Sequence, residues 1–246
     1  MKDISLIAFD ADDTLWECQT YFASVEKEYC DLLKHYAPAE DISQALFATE
    51  TANMELLGYG SKAFILSLLE NATHVSDGKL TSAEVAAIIK MGKSLLQLPG
   101  KPLEGVVTTM EKLRRSGLYQ LVVFTKGELL DQESKFNRSG LRTYFDDFIV
   151  VSDKTPKAYE RLCEQFGIGI EELLMVGNSF KSDVEPVLKL GGWAAHIPFP
   201  TIWQHEVVDE YEHPHLLKMK SFSELEMLIN EREQRLKAER LQLRSI

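Results

Sequence analysis

The segment Ile4-Ser5-Leu6-Ile7-Ala8-Phe9, followed at once by Asp10-Ala11-Asp12-Asp13-Thr14, decides how the rest of the chain is interpreted. Its first half is a short and nearly continuous apolar run, which is typical of a strand covered on both faces of a parallel sheet. Its second half places three carboxylates within four residues at the end of that strand. Their mutual repulsion would cost stability unless a cation offsets it, and a divalent cation with oxygen ligands is the natural partner. The alternative is an ordinary turn that is rich in Asp.

Similar apolar runs recur along the chain and alternate with segments of helical character. Strand followed by helix, repeated, predicts an α/β fold with a doubly wound, mostly parallel, Rossmann-like sheet. The predicted strands are Ile4–Phe9, Leu121–Phe124, Phe148–Val151, Leu173–Val176 and Trp193–Ile197, and the predicted helices are Val106–Ser116, Leu129–Ser139, Pro156–Phe166 and Asp183–Lys189.

Residues 17–98 break this alternation, because their apolar residues fall at helical spacing and no convincing strand is present. Thr81-Ser82-Ala83-Glu84 has the form of a capping box that opens one of the helices. We therefore expect an all-helical domain inserted between residues 1–16 and 99–246 of the core, with Leu98-Pro99-Gly100 as the return hinge. The charged run from Ser221 to Arg244 predicts a terminal helix.

Composition narrows the class of protein. The chain has 246 residues, of which 45% are hydrophobic, and a formal net charge of −11 at pH 7. An acidic chain is a poor partner for nucleic acid or anionic membranes, since both need clustered Lys and Arg. No apolar stretch approaches the roughly 20 residues that span a bilayer. Three cysteines without metal-ligand spacing, and a start that runs directly into a strand, predict a cytoplasmic protein without a signal peptide. The oligomeric state is left open between monomer and homodimer.

Three further motifs follow predicted strands. Thr125-Lys126 follows the second strand, Lys154 the third, and Gly177-Asn178 with Asp183 the fourth. Taken singly, each has an ordinary explanation: a helix cap for Thr125 or Asp183, and a solvated lysine for Lys126 or Lys154. The carboxyl ends of parallel strands share one edge of a sheet, where open α/β sheets bind ligands. The order of hydroxyl, cation and carboxylate therefore predicts one anion-binding site around Asp10.

These four motifs resemble those of the haloacid dehalogenase superfamily of hydrolases, and the helical insert resembles that family's type I cap domain. The resemblance implies that Asp10 is the nucleophile and a metal ligand. It implies that Asp12 is the general acid and base and offers its backbone carbonyl to the metal. Thr125 would bind the phosphoryl group, Lys154 would stabilise the nucleophile and the phosphate, and Asp183 would ligate Mg²⁺ directly or through water.

The chain departs from the family pattern at two positions. Asp13 stands where the family often has Gly, a change that we expect to be tolerated. Asn178 stands where the fourth motif more often has Asp, which removes a negative charge near the metal. We expect Asn178 to orient a metal-bound water and metal binding to be weaker.

The function implied is Mg²⁺-dependent hydrolysis of a small phosphorylated metabolite through an aspartyl-phosphate on Asp10. Asp12 must then be protonated while Asp10 is ionised, so that it can protonate the leaving oxygen. The alternatives are a 2-haloacid dehalogenase, which the acid at Asp12 disfavours, and a non-catalytic protein that binds a phosphorylated ligand. Substrate contacts are expected from Lys126 and from a group of side chains led by Trp16, with Tyr21, Phe22, Asn53, Tyr59 and Lys62 as further candidates.

Overall fold

The computed structural model describes residues 4–232, 234 and 235. Its centre is a six-stranded sheet of order β3-β2-β1-β4-β5-β6, in which every neighbouring pair is parallel. This confirms the predicted α/β, doubly wound fold. The strands are β1 (Leu6–Phe9), β2 (Gln120–Lys126), β3 (Asp147–Val151), β4 (Leu173–Gly177), β5 (Trp193–His196) and β6 (Leu216–Lys218).

The edge strand β6 is the element that the sequence did not predict. It has three residues and pairs with β5 through Ala194 and Leu216. Only two of its residues are apolar and none is fully buried. A segment this short carries too little periodicity to be recognised before its partner is known.

Four helices cover the sheet: α5 (Val106–Ser116), α6 (Leu129–Ser139), α7 (Pro156–Phe166) and α8 (Glu185–Leu190). Side chains of β1 alternate between two apolar clusters, as the period of a strand requires. Ile7 and Phe9 pack with residues of α5, and Leu6 and Ala8 pack with residues of α7. The sheet is therefore buried on both faces, which explains the continuous apolar character of its strands.

Four more helices lie between β1 and α5: α1 (Gln19–Leu33), α2 (Ala39–Leu57), α3 (Ser61–Val75) and α4 (Ser82–Leu95). They pack around an apolar cluster of their own, which includes Tyr29, Leu46 and Leu68. Thr81 and Glu84 form the predicted capping box at the start of α4. The helical character of the insert agrees with the sequence, while the division into domains at residues 17 and 98 stays a prediction.

The chain enters and leaves this insert side by side. Trp16 forms an antiparallel bridge with Pro102, and the amide of Leu103 donates to the carbonyl of Leu15 at 2.9 Å. We call residues 15–16 and 102–103 the neck. Beyond β6, residues 222–226 form a 3₁₀ turn, and residues 227–232, 234 and 235 are helical. The other positions of the helix that the sequence predicts as far as Arg244 lie outside the described residues.

Across the part of the chain that the structure describes, no helix combines the length and apolar character needed to cross a bilayer.

Candidate active site

The ends of four strands bring the sequence motifs to one edge of the sheet. Because β1 lies between β2 and β4, Phe9 is in register with both Val123 and Val176. The amide of Asp10 continues this ladder by donating to the carbonyl of Val176 at 2.8 Å. The chain segments after β1, β2, β3 and β4 therefore face one shared space, which is where the predicted residues were expected to meet.

A buried lysine joins two of the predicted carboxylates. Lys154 Nζ donates to Asp10 Oδ1 at 2.5 Å and to Asp183 Oδ1 at 2.6 Å, and its side chain is 1% exposed. Burial raises the pKa of Asp10 to about 7, although the charge of Lys154 opposes the rise and that of Asp183 adds to it. Burial likewise raises the pKa of Asp183 against the opposing effect of Lys154. One cation thus serves two carboxylates, and the site carries an excess of negative charge.

Close packing at the fourth motif explains why Asp183 reaches this point. A β-carbon on Gly177 would lie 2.1 Å from Asp183 Oδ2, so only glycine leaves room for the carboxylate. A π-helical turn over Phe180–Val184 carries Asp183, and Ser179 rather than Asp183 caps it by accepting from the amide of Ser182. The predicted helix at Asp183–Lys189 therefore begins as this turn and becomes α8 two residues later.

The carboxylate of Asp12 is turned away from Asp10 toward α6. It accepts two bonds from Lys135 Nζ at 2.7 and 2.8 Å, one from Gln132 Nε2 at 2.9 Å and one from Trp16 Nε1 at 2.8 Å. Burial opposes ionisation, but the charge and hydrogen bond of Lys135 outweigh it, so the pKa of Asp12 is lowered. The expectation that Asp12 is the protonated partner of Asp10 concerns the site with Mg²⁺ bound and stays a prediction; without a metal, the pKa of Asp10 is raised and that of Asp12 is lowered. The physical reason for the lowered pKa is Lys135, which sequence reasoning did not place beside Asp12.

Asp13 occupies a left-handed backbone position with φ 62°. This conformation favours glycine and is tolerated by Asp better than by most other residues, which accounts for Asp at a position where the family often has Gly. Its carboxylate also accepts from the amides of Cys18 and Gln19, at the start of α1. Burial raises the pKa of Asp13 to about 7 despite these bonds. The Asp13 carboxylate therefore binds the first amides of α1 in addition to lining the cavity.

The donors near Asp10 suit a hard cation. The carbonyl oxygen of Asp12 and Asp10 Oδ2 lie 3.1 and 3.2 Å from one end of the Asn178 amide, which is best oriented with its nitrogen on that side. Among the described residues, no cluster of three or more Asp, Glu, His or Cys side chains forms a ready-made metal site. Two carboxylates and a carbonyl oxygen nevertheless fit Mg²⁺, which usually keeps several waters and takes few protein ligands, and the amide nitrogen of Asn178 faces these oxygens without being a ligand itself.

Thr125 and Lys126 at the end of β2 have different surroundings. Thr125 is buried, and its hydroxyl makes only a long contact of 3.5 Å with the carbonyl of Lys126. Lys126 forms an ion pair with Glu206, donates to Ser182 Oγ at 2.9 Å and lies over the Tyr59 ring. Thr125 is thus available to a ligand, whereas the ammonium group of Lys126 is already paired.

A cavity of about 240 Å³ opens above these side chains. Its walls come from the sheet edge, from the helical insert and from the loop after β5. Of the predicted site residues, Asp10, Asp12, Thr125, Lys126, Lys154, Asn178 and Asp183 line it, and of the further candidates Phe22, Asn53 and Tyr59 do so.

The prediction that Trp16 contacts the substrate is corrected by its burial. Trp16 is fully buried in the apolar cluster against Phe136, and its indole nitrogen is bonded to Asp12. It does not line the cavity, and neither do Tyr21 and Lys62. The bridge to Pro102 holds Trp16 in the neck, where its ring points into the core. Closeness to Asp10 and Asp12 in sequence therefore does not place the ring in the cavity.

Sequence reasoning missed three residues of the site: Gln132, Lys135 and Glu206. Gln132 and Lys135 lie on the buried face of α6, in the same row as Phe136. The available signal was weak: a glutamine and a lysine at helical spacing from Phe136, which is the only apolar residue among the five buried ones of α6. Glu206 lies in the loop after β5 and carried no comparable signal, because nothing in the sequence places that loop beside Lys126.

Residues 4–191 match the family model described as haloacid dehalogenase-like hydrolase. The chain therefore belongs to the haloacid dehalogenase-like hydrolases, which confirms the resemblance seen in the four motifs.

Three relatives illustrate this kinship. The chain is 26% identical over 203 residues to glyceraldehyde 3-phosphate phosphatase of Pyrococcus furiosus, covering 78% of this chain and 79% of the relative. It is 26% identical over 193 residues to a pyrimidine 5′-nucleotidase of Escherichia coli, covering 72% and 79%. A crystal structure of a haloacid dehalogenase-like hydrolase from Xanthomonas campestris matches with a TM-score of 0.82 and 31% identity, covering 95% of this chain and 94% of the other.

Proposed function

We propose that this hydrolase is a Mg²⁺-dependent phosphatase that removes the phosphoryl group from a small phosphate monoester. The observation that carries the proposal is the pairing of Lys154 with both Asp10 and Asp183 on the floor of the cavity. The two curated relatives, a glyceraldehyde 3-phosphate phosphatase and a pyrimidine 5′-nucleotidase, support the same class of reaction.

Asp10 is the group that attacks phosphorus. Its second oxygen, Oδ2, is not bonded to Lys154 and accepts from Thr14 Oγ1 at 3.1 Å. Attack forms a bond between this carboxylate and phosphorus while the bond to the leaving oxygen breaks, which gives an aspartyl-phosphate. Thr125 and Lys154 bind the phosphoryl oxygens during the transfer. When bound by Asp10, Asp183 and the carbonyl of Asp12, with Asn178 beside it, Mg²⁺ supplies positive charge that offsets repulsion between carboxylate and phosphate.

Asp12 transfers the protons in both halves of the reaction. In its ionised form it can take a proton from the water that hydrolyses the aspartyl-phosphate. To protonate the leaving oxygen in the first half, it must be separated from Lys135 and take up a proton. We therefore propose that the Asp12 carboxylate moves between Lys135 and the cavity during each turnover.

The test is hydrolysis of an aryl phosphate in the presence of MgCl₂ by wild type and by Asp10→Asn. The substitution keeps the shape of the side chain but removes the nucleophile, so we expect a loss of roughly 10³-fold or more in kcat. Asp209→Asn, at an exposed position of the loop after β5, is the matched control and should retain full activity.

Two results would contradict the proposal. One is the absence of turnover by wild type over a broad panel of phosphate monoesters, which would favour a protein that only binds its ligand. The other is release of halide from a 2-haloacid without Mg²⁺, which would favour the dehalogenase.

A further inference from the structure

Glu206 occupies a small cradle of hydrogen-bond donors beside the candidate phosphate site. Its carboxylate is paired with Lys126 Nζ, accepts from Ser182 Oγ at 2.8 and 3.0 Å, and accepts from Ser179 Oγ. Ser179 follows Asn178 directly and Ser182 precedes Asp183, so the cradle adjoins two candidate metal-site residues. An ammonium group and two hydroxyls are the donors that would bind an anionic group of a ligand, and here they bind a carboxylate of the protein itself.

The loop that carries Glu206 is anchored at both walls of the cavity. Lys181 donates to the carbonyl of His205 at 2.8 Å, which ties the loop to the sheet edge. The ring of His205 stacks on Phe47, and the ring of Trp203 packs edge-on against Tyr59, which ties the loop to the helical insert. Burial opposes ionisation of Glu206, but the charge of Lys126 and the three hydrogen-bond donors hold its pKa below the usual range. The carboxylate is therefore a fixed charge of the cavity wall.

Apart from lysines, the other ionisable side chains of the wall are mainly carboxyl groups, of which Glu50 has its pKa raised to about 7 by burial. Beyond the sheet edge, the cavity is lined by Glu26, Glu50 and Glu210. Among the described residues, the lysines that line it are Lys126, Lys135 and Lys154, and each is bound to a carboxylate of the chain. Within the described part of the chain, the cavity thus offers a ligand no lysine that is not already paired.

We propose that Glu206 determines substrate specificity by neutralising Lys126, so that the cavity accepts phosphate monoesters with an uncharged leaving group and rejects those that carry a second anion. The inference rests on the proposed phosphatase function and adds the substrate class. A second carboxylate or phosphate would find the cradle filled and would face the other wall carboxylates without a counter-charge, and like charges at short range repel strongly where water is excluded.

The experiment compares two substrates that differ in one group. Glycerol 3-phosphate has an uncharged leaving group, and 3-phosphoglycerate carries a carboxylate on the same carbon skeleton. For wild type we expect kcat/KM to be at least about tenfold higher for glycerol 3-phosphate. In Glu206→Gln, which keeps the size and can still accept from the serine hydroxyls, we expect this ratio to fall by about tenfold, mainly through a lower KM for 3-phosphoglycerate.

Two variants separate this effect from a general loss of charge. Glu210→Gln removes one negative charge from the same loop and the same wall, but its carboxylate faces His196 at 3.9 Å rather than Lys126. Because the Glu210 side chain is 45% exposed, water screens its charge, and its removal releases no cation, so the ratio should stay within about twofold of wild type. In the double variant Lys126→Met with Glu206→Gln the released cation is gone, so the gain on 3-phosphoglycerate should disappear.

The outcomes distinguish the inference from the function on which it rests. Equal kcat/KM of wild type for the two substrates overturns the inference, as does an unchanged ratio in Glu206→Gln, and in both cases the phosphatase function stands. The wild-type comparison decides the matter even if the variant fails to fold. Failure of wild type to hydrolyse these substrates and aryl phosphates overturns both.

Discussion

At the level of single residues, the ion pair between Asp12 and Lys135 shows how one lysine that the sequence did not reveal sets the charge and position of a candidate catalytic group. Lys135 is 123 residues from Asp12 in sequence, and its side chain is 3% exposed. Removing one partner of a buried ion pair leaves the other charge without compensation, which costs about 3–5 kcal/mol. The pair therefore holds α6 to the loop after β1 and also sets the resting position of Asp12.

We expect Lys135→Met to lower the free energy of unfolding by about 2 kcal/mol, less than for a fully buried pair because the Asp12 side chain is 27% exposed, as measured by urea denaturation. Lys112→Met is the control, because Lys112 pairs with Glu226 at the surface and its loss should cost less than about 1 kcal/mol. Equal costs for the two variants would show that the buried pair contributes no more than a surface pair.

Trp16 gives a second prediction at this scale. Because the ring is fully buried, Trp16→Ala should lower the free energy of unfolding by about 3–5 kcal/mol. Relative rates on a substrate panel should stay the same, since the ring does not line the cavity. Trp16→Phe, which keeps most of the packing but loses the bond to Asp12, should cost less. A changed order of substrates in folded Trp16→Phe would contradict this placement.

The site was predictable where it depended on position along a strand. Asp10, Thr125, Lys154 and Asp183 follow apolar runs, and a parallel sheet necessarily brings such positions to one edge. The ionisation of Asp12 and the pairing of Lys126 were not predictable, because both depend on side chains that only tertiary packing brings into contact.

At the level of elements, local signals decided which boundaries the sequence revealed. The bounds of α5, α6 and α7 agree with the predicted ones. Each of these helices ends at a glycine in the left-handed conformation, and α7 begins at Thr155-Pro156 with a bond from the Ala158 amide to Thr155 Oγ1. The π-helical turn before α8 had no such signal, because it results from packing around Asp183.

The hinge glycine Gly100 gives a prediction for an element boundary. Its φ is 62°, and a β-carbon there would lie 2.7 Å from the carbonyl oxygen of Lys135 on α6. Gly100→Ala should therefore destabilise by more than the roughly 1 kcal/mol that a left-handed alanine costs by itself. Gly117→Ala is the matched control, since Gly117 is left-handed with φ 60° and has open space around it. Thermal unfolding of the two variants checks the difference, and equal melting temperatures would contradict the contact with α6.

At the level of the whole molecule, three buried carboxyl groups predict how stability depends on pH. Burial raises the pKa of Asp10, Asp13 and Glu50 to about 7 each. An acid whose pKa is higher in the folded than in the unfolded state binds more protons when folded, so stability falls as pH rises between the two values. Without metal, the melting temperature should therefore fall from about pH 5 to about pH 8.

Two comparisons assign this fall to particular groups. Glu50→Gln should flatten it and raise stability at about pH 8 by roughly 1–3 kcal/mol, since one buried charge is removed. MgCl₂ should raise the melting temperature more at about pH 8 than at about pH 6, because the cation requires ionised Asp10. A melting temperature that rises steadily with pH in the absence of metal would contradict the assignment.

The neck has a consequence for how such a protein can be altered. The two chain passages at Trp16 and Pro102 are bridged to each other, so the insert is joined to the core at a single point, as the loop of a hairpin is joined to its strands. An insert joined in this way can be exchanged for one of another length, because the distance between its two ends is fixed by the neck and the core is not strained. A graft that swapped the four-helix insert for a relative's would keep Asp10, Lys154 and Asp183 on the sheet, but it would also replace Phe47 and Tyr59, which pack against the loop of Glu206.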